Sequence, residues 1–115
     1  YSKPTRVYAV TLDEYVEHHT PPTVVKIDVE GAEENVIAGG DRFLRKHAPT
    51  ISLEVWPTHS GGEISMNAVE KVRDLGYQAY RVNDAGDLIL ADGDLAQDVE
   101  NRRLNFDNYV FMKKR

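Results

Sequence analysis

Apolar positions along the chain keep two rhythms, one of period 2 and one near 3.6, and the rhythms alternate from segment to segment. Val7 to Val10 is a short strand-like run. Thr11 and Glu14 then have the spacing of a capping box and open a short helix, LDEYVEHH, which Pro21 and Pro22 stop. TVVKIDVEG follows as a strand, with Val25, Ile27 and Val29 on one face, Val24, Lys26, Asp28 and Glu30 on the other, and Gly31 closing it. AEENVIAGGDRFLRKHA has a helical pattern carried by Val36, Ile37, Phe43 and Leu44. Its weak point is Gly39-Gly40, where the helix should kink or divide, and Pro49 terminates it. TISLEVW is a second apolar, β-branched strand, and the turn-rich PTHSGGEI after it reads as a mobile loop. From Met66 to Leu75, Val69, Val72 and Leu75 mark a helix, with Gly76 where a left-handed C-terminal cap belongs. Tyr77 to Val82 is a strand, NDAG a turn and LIL a short strand. Ala91 to Asn105 reads as irregular and polar, and Asn108 to Lys113 supplies a last strand in an antiparallel ending.

Two near-continuous apolar strands joined by a helical segment form a βαβ unit, which crosses over right-handed and makes the strands parallel. The class expected is therefore α/β. In open sheets of this class ligands bind beyond the carboxyl ends of the strands, and Asp28, Glu30 and Trp56 lie at or near such ends.

Composition narrows the partners. A chain of 115 residues is the size of one domain, and its span 1–115 is read as one unit. No apolar run approaches the roughly 20 residues of a membrane span. Nineteen acidic against fourteen basic residues give a net charge of -5, which argues against a nucleic-acid backbone as partner. The absence of cysteine removes disulfides, thiolate metal sites and cysteine nucleophiles, and fits a reducing, cytoplasmic setting.

The candidate site residues gather around KIDVEGAE and ISLEVW. Asp28 is read as a substrate-orienting group, a general base or a metal ligand, against the alternative that it pairs Lys26 on the same strand face. Glu30 and Glu33 compete with a plainer role, since carboxylates at the start of a helix are favoured by its dipole. Gly31 lets the backbone turn sharply or approach a ligand and is the candidate cofactor contact, with Glu30 beside it a candidate for binding substrate. Lys26, in an otherwise apolar strand, should be buried and paired with Asp28, Glu30 or Glu54. Glu54 is the best second acid of a cleft, His59 a candidate base, and Trp56 a surface for a substrate ring or a core residue. No histidine or carboxylate set has the spacing of a strong metal motif; a Mg²⁺ site at Asp28, Glu30 and Glu54 is the weak remaining option.

VYAVTLDEYV, VVKIDVEGAEENVIAGG, PTISLEVW, LGYQAYRVNDAGDL and NYVFMKK, in that order, resemble the C-terminal half of the FkbM-type methyltransferases. KIDVEGAE is the most recognisable string. The resemblance implies a class I, Rossmann-like methyltransferase domain, S-adenosylmethionine as methyl donor, and O-methylation of a sugar or another small hydroxyl-bearing molecule. It also implies that Asp28 ends the fourth strand of the parent fold, at the edge of the cleft. The upstream glycine-rich loop that cradles the donor, and the acid that holds its ribose, have no counterpart here, because neither Gly39-Gly40 nor Gly61-Gly62 follows a strand as such a loop must. The chain is thus expected to be the acceptor-side half of an enzyme, inactive alone. The competing readings are a non-enzymatic binding or dimerisation module and, weakest, Mg²⁺-dependent phosphoester hydrolysis. In either main case the edge of VVKIDVEG should be covered, by Val7 to Val10 folding back or by a second copy in a homodimer.

Overall fold

Thr11 acts as its spacing predicts. Its hydroxyl accepts the Glu14 N–H at 3.1 Å and opens helix α1, Leu12–His18, in the computed structural model, which describes residues 3–114. The following element, strand β1, is Val24–Ile27, shorter than TVVKIDVEG and ending one residue before Asp28. The helical stretch after it divides at Gly39-Gly40 into α2, Glu33–Ala38, and α3, Asp41–His47. Glycine lets α1 pack closely at the break: a methyl group on Gly40 would lie 2.9 Å from Cδ1 of Leu12 and push that side chain aside. With no capping side chain of its own there, α3 borrows one: Asp13 of α1 accepts the N–H groups of Arg42 at 3.3 Å and Phe43 at 2.8 Å.

Strand β2 is Thr50–Val55, helix α4 is Gly62–Asp74, and strands β3 and β4 are Tyr77–Val82 and Leu88–Leu90. Gly76, at φ +95°, is the left-handed residue expected after α4. The Asn83 side chain accepts from Ala85 and Asp87 to shape the NDAG turn. Helix α5 is Leu95–Asn101 and strand β5 is Asp107–Lys113.

The five strands form one sheet in the order β1-β2-β5-β3-β4. β1 and β2 are parallel, as the βαβ argument requires, and every other pairing is antiparallel. The last strand is inserted between β2 and β3 rather than added at the margin, so the chain's end completes the middle of the sheet. All buried sheet residues share one face: Ile27, Ile51, Leu53, Val55, Tyr77, Ala79, Tyr109 and Phe111 pack with Ile37, Phe43, Leu44, Val69, Val72, Leu95 and Val99 of the helices. On the other face a row runs Lys26, Ser52, Val110, Tyr80, Leu90 straight across the strands, and none of these residues is buried.

Four expectations need correction. Val7 to Val10 is no strand; Val7 is 80% exposed, and the run buries nothing that would hold it to an edge. Lys26 is exposed and makes no ion pair among the described residues, because the sheet face it occupies is not the one packed against helices. The loop after β2 ends early, since GEIS already belongs to α4. The irregular stretch before β5 contains α5, capped by Asp94 accepting from Gln97 at 3.1 Å and anchored by Leu95, Ala96 and Val99. Arg102 fastens α5 to β5 by donating to Asp98, Asp107 and the Tyr109 hydroxyl, while that hydroxyl donates to Asp98. Among the described residues no helix is long and apolar enough to cross a membrane.

Candidate functional site

The carboxylates of KIDVEGAE divide by direction. Ile27 is the last buried residue of β1 and fixes where the chain leaves the sheet; Asp28 and Glu30 beyond it are exposed. Between them and α2 the backbone reverses through two left-handed residues, Glu30 at φ +47° and Gly31 at φ +102°. A side-chain-bearing residue in that region costs roughly 1–2 kcal/mol, so something must hold the turn. Glu33 does. Its carboxylate, on a residue only 7% exposed, reaches back so that one oxygen accepts the Val29 N–H at 3.1 Å and the other the Gly31 N–H at 2.9 Å. Glu33 is thus the structural clamp of a turn whose outward groups are Asp28 and Glu30.

The parallel register supplies the second carboxylate. Ile27 lies opposite Leu53, so Asp28 and Glu54 each occupy the next position at the carboxyl ends of adjacent strands. Glu54 also faces Asn108 of β5 across the antiparallel pairing. Its Oε1 accepts the Trp56 indole N–H at 2.7 Å, and the Trp56 backbone N–H donates to the buried Ser65 hydroxyl at 3.0 Å. Gly61, at φ +89°, completes the support: a methyl group there would overlap the indole at Cε3. Trp56, Ser60, Gly61 and Asn105 line a cavity of about 360 Å³ beside this ring.

His59 sits elsewhere in its chemistry. Both its backbone N–H and its Nδ1 meet Glu100 Oε1, at 3.2 and 2.6 Å, so the imidazole ties the loop after β2 to α5. That hydrogen bond holds the Glu100 carboxyl below its ordinary range. Among the described residues no three His, Asp or Glu side chains are grouped to hold a metal ion, so Asp28, Glu30 and Glu54 do not form the Mg²⁺ site considered above.

The structure therefore brings Asp28, Glu54 and Trp56 to one end of the β1–β2 pair, sends Glu30 outward from the turn, commits the Gly31 amide to Glu33, and pairs His59 with Glu100. Sequence reasoning missed the clamp role of Glu33 and the placement of Ser65 and Asn105 around Trp56. Only the four-residue spacing of Val29 and Glu33 hinted at the first; nothing local signals the other two.

The sequence profile described as the methyltransferase FkbM domain matches residues 1–82 of the 115, and the chain belongs to that family. The match ends with β3, so β4, α5 and β5 lie beyond it, although β5 sits in the middle of the sheet. No curated protein and no solved structure matches the chain.

Proposed function

We propose that this FkbM-family chain supplies the acceptor side of a methyltransferase that modifies a hydroxyl of a sugar or similar small molecule, with Asp28 taking up the hydroxyl proton. The observation that carries the reading is the exposed Asp28 carboxylate, just past the carboxyl end of β1, on a turn clamped by Glu33 and level with Glu54 on the neighbouring strand. A base that accepts the proton as the oxygen becomes a nucleophile contributes roughly 10²–10⁴-fold. The mixed sheet, parallel at β1–β2 and antiparallel beyond, supports reading the chain as the C-terminal half of a Rossmann-like domain.

The donor proposed is S-adenosylmethionine, which when bound supplies an electrophilic methyl group. The Gly31 N–H is already committed to Glu33, and the Gly61-Gly62 turn, which leads from β2 into α4, packs Gly61 against the Trp56 indole. No donor contact is assigned to these residues.

Two measurements test the reading. With the chain in its full reading frame, Asp28→Asn should lower transfer of labelled methyl to glycoside acceptors by about 10²-fold or more while leaving the melting temperature unchanged, since Asp28 is exposed. Unaltered turnover would remove Asp28 from the chemistry. Calorimetry on the 115-residue chain should find S-adenosylmethionine binding weak or absent; micromolar affinity would overturn the acceptor-side assignment.

A second reading, a binding or dimerisation module, draws on the outer edge of β1, which pairs with no strand among the described residues and carries Val24, 63% exposed. A two-fold axis at Ile27 would set Lys26 of one copy against Asp28 of the other. Light scattering on the parent chain and on Val25→Pro tests the dimer: a strict monomer before and after the change dismisses it.

A further inference from the structure

We propose that Trp56, Ser60 and Asn105 form the acceptor subsite and take a neutral pyranose ring by one of its faces, with Glu54 positioning the indole and offering its second oxygen to a ring hydroxyl. The assignment rests on the acceptor-side reading above for the reaction it serves. Its own support is the geometry around Trp56.

The indole is held from three directions before any ligand arrives. Glu54 fixes its edge through the 2.7 Å hydrogen bond, Ser65 fixes its backbone, and the bare Cα of Gly61 fills the space against the ring. Trp56 is half-buried and stands outside the buried core, so this bracing does not serve interior packing. An aromatic group ordered in advance adds little entropic cost when a ligand stacks on it. The adjoining hollow of about 360 Å³ is open to solvent, the shape for a ring laid on an aromatic face rather than for an enclosed ligand.

The polar groups on its rim suit a polyol. Among the described residues neither the Ser60 hydroxyl nor the Asn105 amide hydrogen-bonds to the protein, and Glu54 uses only Oε1. The Ser60 hydroxyl and the Asn105 amide line the hollow beside Trp56, and with the Glu54 carboxylate at the N–H edge of the indole they offer both donors and acceptors at the margin of an apolar surface. A pyranose presents the complement: a patch of C–H groups on its face and hydroxyls around its rim. The carboxylates of Asp28 and Glu54 at this end of the sheet, on a chain of net charge -5, disfavour phosphorylated or otherwise anionic acceptors.

Trp56 is the sole tryptophan, so its selectively excited fluorescence reports this site alone. Titration of the chain with methyl β-D-glucopyranoside, methyl β-D-galactopyranoside and methyl α-L-rhamnopyranoside should give a saturable emission change with at least one, with a dissociation constant on the order of 1 mM. Acyclic sorbitol should give none. Asn105→Ala, a change at an exposed residue, should weaken the bound glycoside by about 5–10-fold. Silence toward all three glycosides, an equal response to sorbitol, or an unaffected Asn105→Ala would each overturn the subsite. Saturable binding without methyl transfer in the full reading frame would overturn the reaction and leave the subsite standing. Methyl transfer whose acceptor KM is indifferent to Asn105→Ala would do the reverse.

Discussion

Replacing Gly61 by alanine should unfasten Trp56. Gly61 sits at φ +89°, where any residue bearing Cβ is strained; that strain is about 1–2 kcal/mol. The new methyl group would also overlap Cε3 of the indole and lie 3.0 Å from Cζ3, whereas carbon atoms at rest keep roughly 3.5–4.0 Å. A rigid ring cannot bend away, so it must shift bodily, and the shift breaks the 2.7 Å hydrogen bond from Nε1 to Glu54. A hydrogen bond to a charged group contributes roughly 1.5–3 kcal/mol, and the lower end applies to this half-buried pair. The total loss is therefore about 3 kcal/mol. Gly86→Ala is the matched control, since Gly86 has φ +86° and nothing within 4 Å of an added methyl group; it should lose only the backbone share, about 1–2 kcal/mol. Urea unfolding followed by far-UV circular dichroism measures both, and the emission maximum of Trp56 in the folded state reports whether the ring has moved. Equal losses in the two variants, with an unshifted emission maximum, would refute the claim that Gly61 holds the ring.

Three further outcomes follow from the clamps and buried groups. Glu33→Gln, which weakens the grip on the Val29 and Gly31 N–H groups, should cost about 1–3 kcal/mol and speed hydrogen exchange at those two amides; protection left intact there would mean the turn holds itself. Because the hydrogen bond from His59 places the Glu100 pKa in the folded chain below its unfolded value, the pair's stabilisation is complete above the ordinary carboxylate range and disappears as pH falls through the depressed value. The difference in melting temperature between the parent chain and Glu100→Gln should accordingly be full near about pH 7 and shrink steadily as pH falls below the ordinary carboxylate range, and a gap that stays constant into acid would contradict it. Burial raises the Tyr77 pKa to about 12, and burial together with the Asp98 hydrogen bond raises that of Tyr109 as well, so stability held below pH 10 is lost as pH climbs through the raised values. In an absorbance titration two of the six tyrosines should ionise only as the chain unfolds in alkali, and six independent ordinary titrations would rule this out.

What the sequence determined by itself is local. The Thr11–Glu14 cap, the division at Gly39-Gly40, β2, β3, the NDAG turn and the left-handed Gly76 were all legible, because each is decided by neighbours within a turn or by strict alternation. The parallel β1–β2 pairing was legible too, since the handedness of a βαβ crossover leaves one solution. Helix α5 escaped notice because only Leu95, Ala96 and Val99 mark its buried side in a polar stretch, too few to show a period. The placement of β5 between β2 and β3 could not be read, because either strand edge satisfies the same backbone groups and the choice is made by packing between residues far apart in the chain. Packing of the helices on one sheet face alone is likewise a long-range choice, and it is why Lys26 on the other face is solvated rather than buried with a partner. The same distance separates the parts of the site. Asp28 and Glu54 become neighbours only through strand register, and Trp56 meets Gly61 and Asn105 only after α4 and β5 have packed. KIDVEGAE marks the end of a strand in any reading, but that Glu33 turns inward while Asp28 faces out follows from the need to satisfy the Val29 and Gly31 N–H groups of a left-handed turn, a requirement that exists only once the turn has formed.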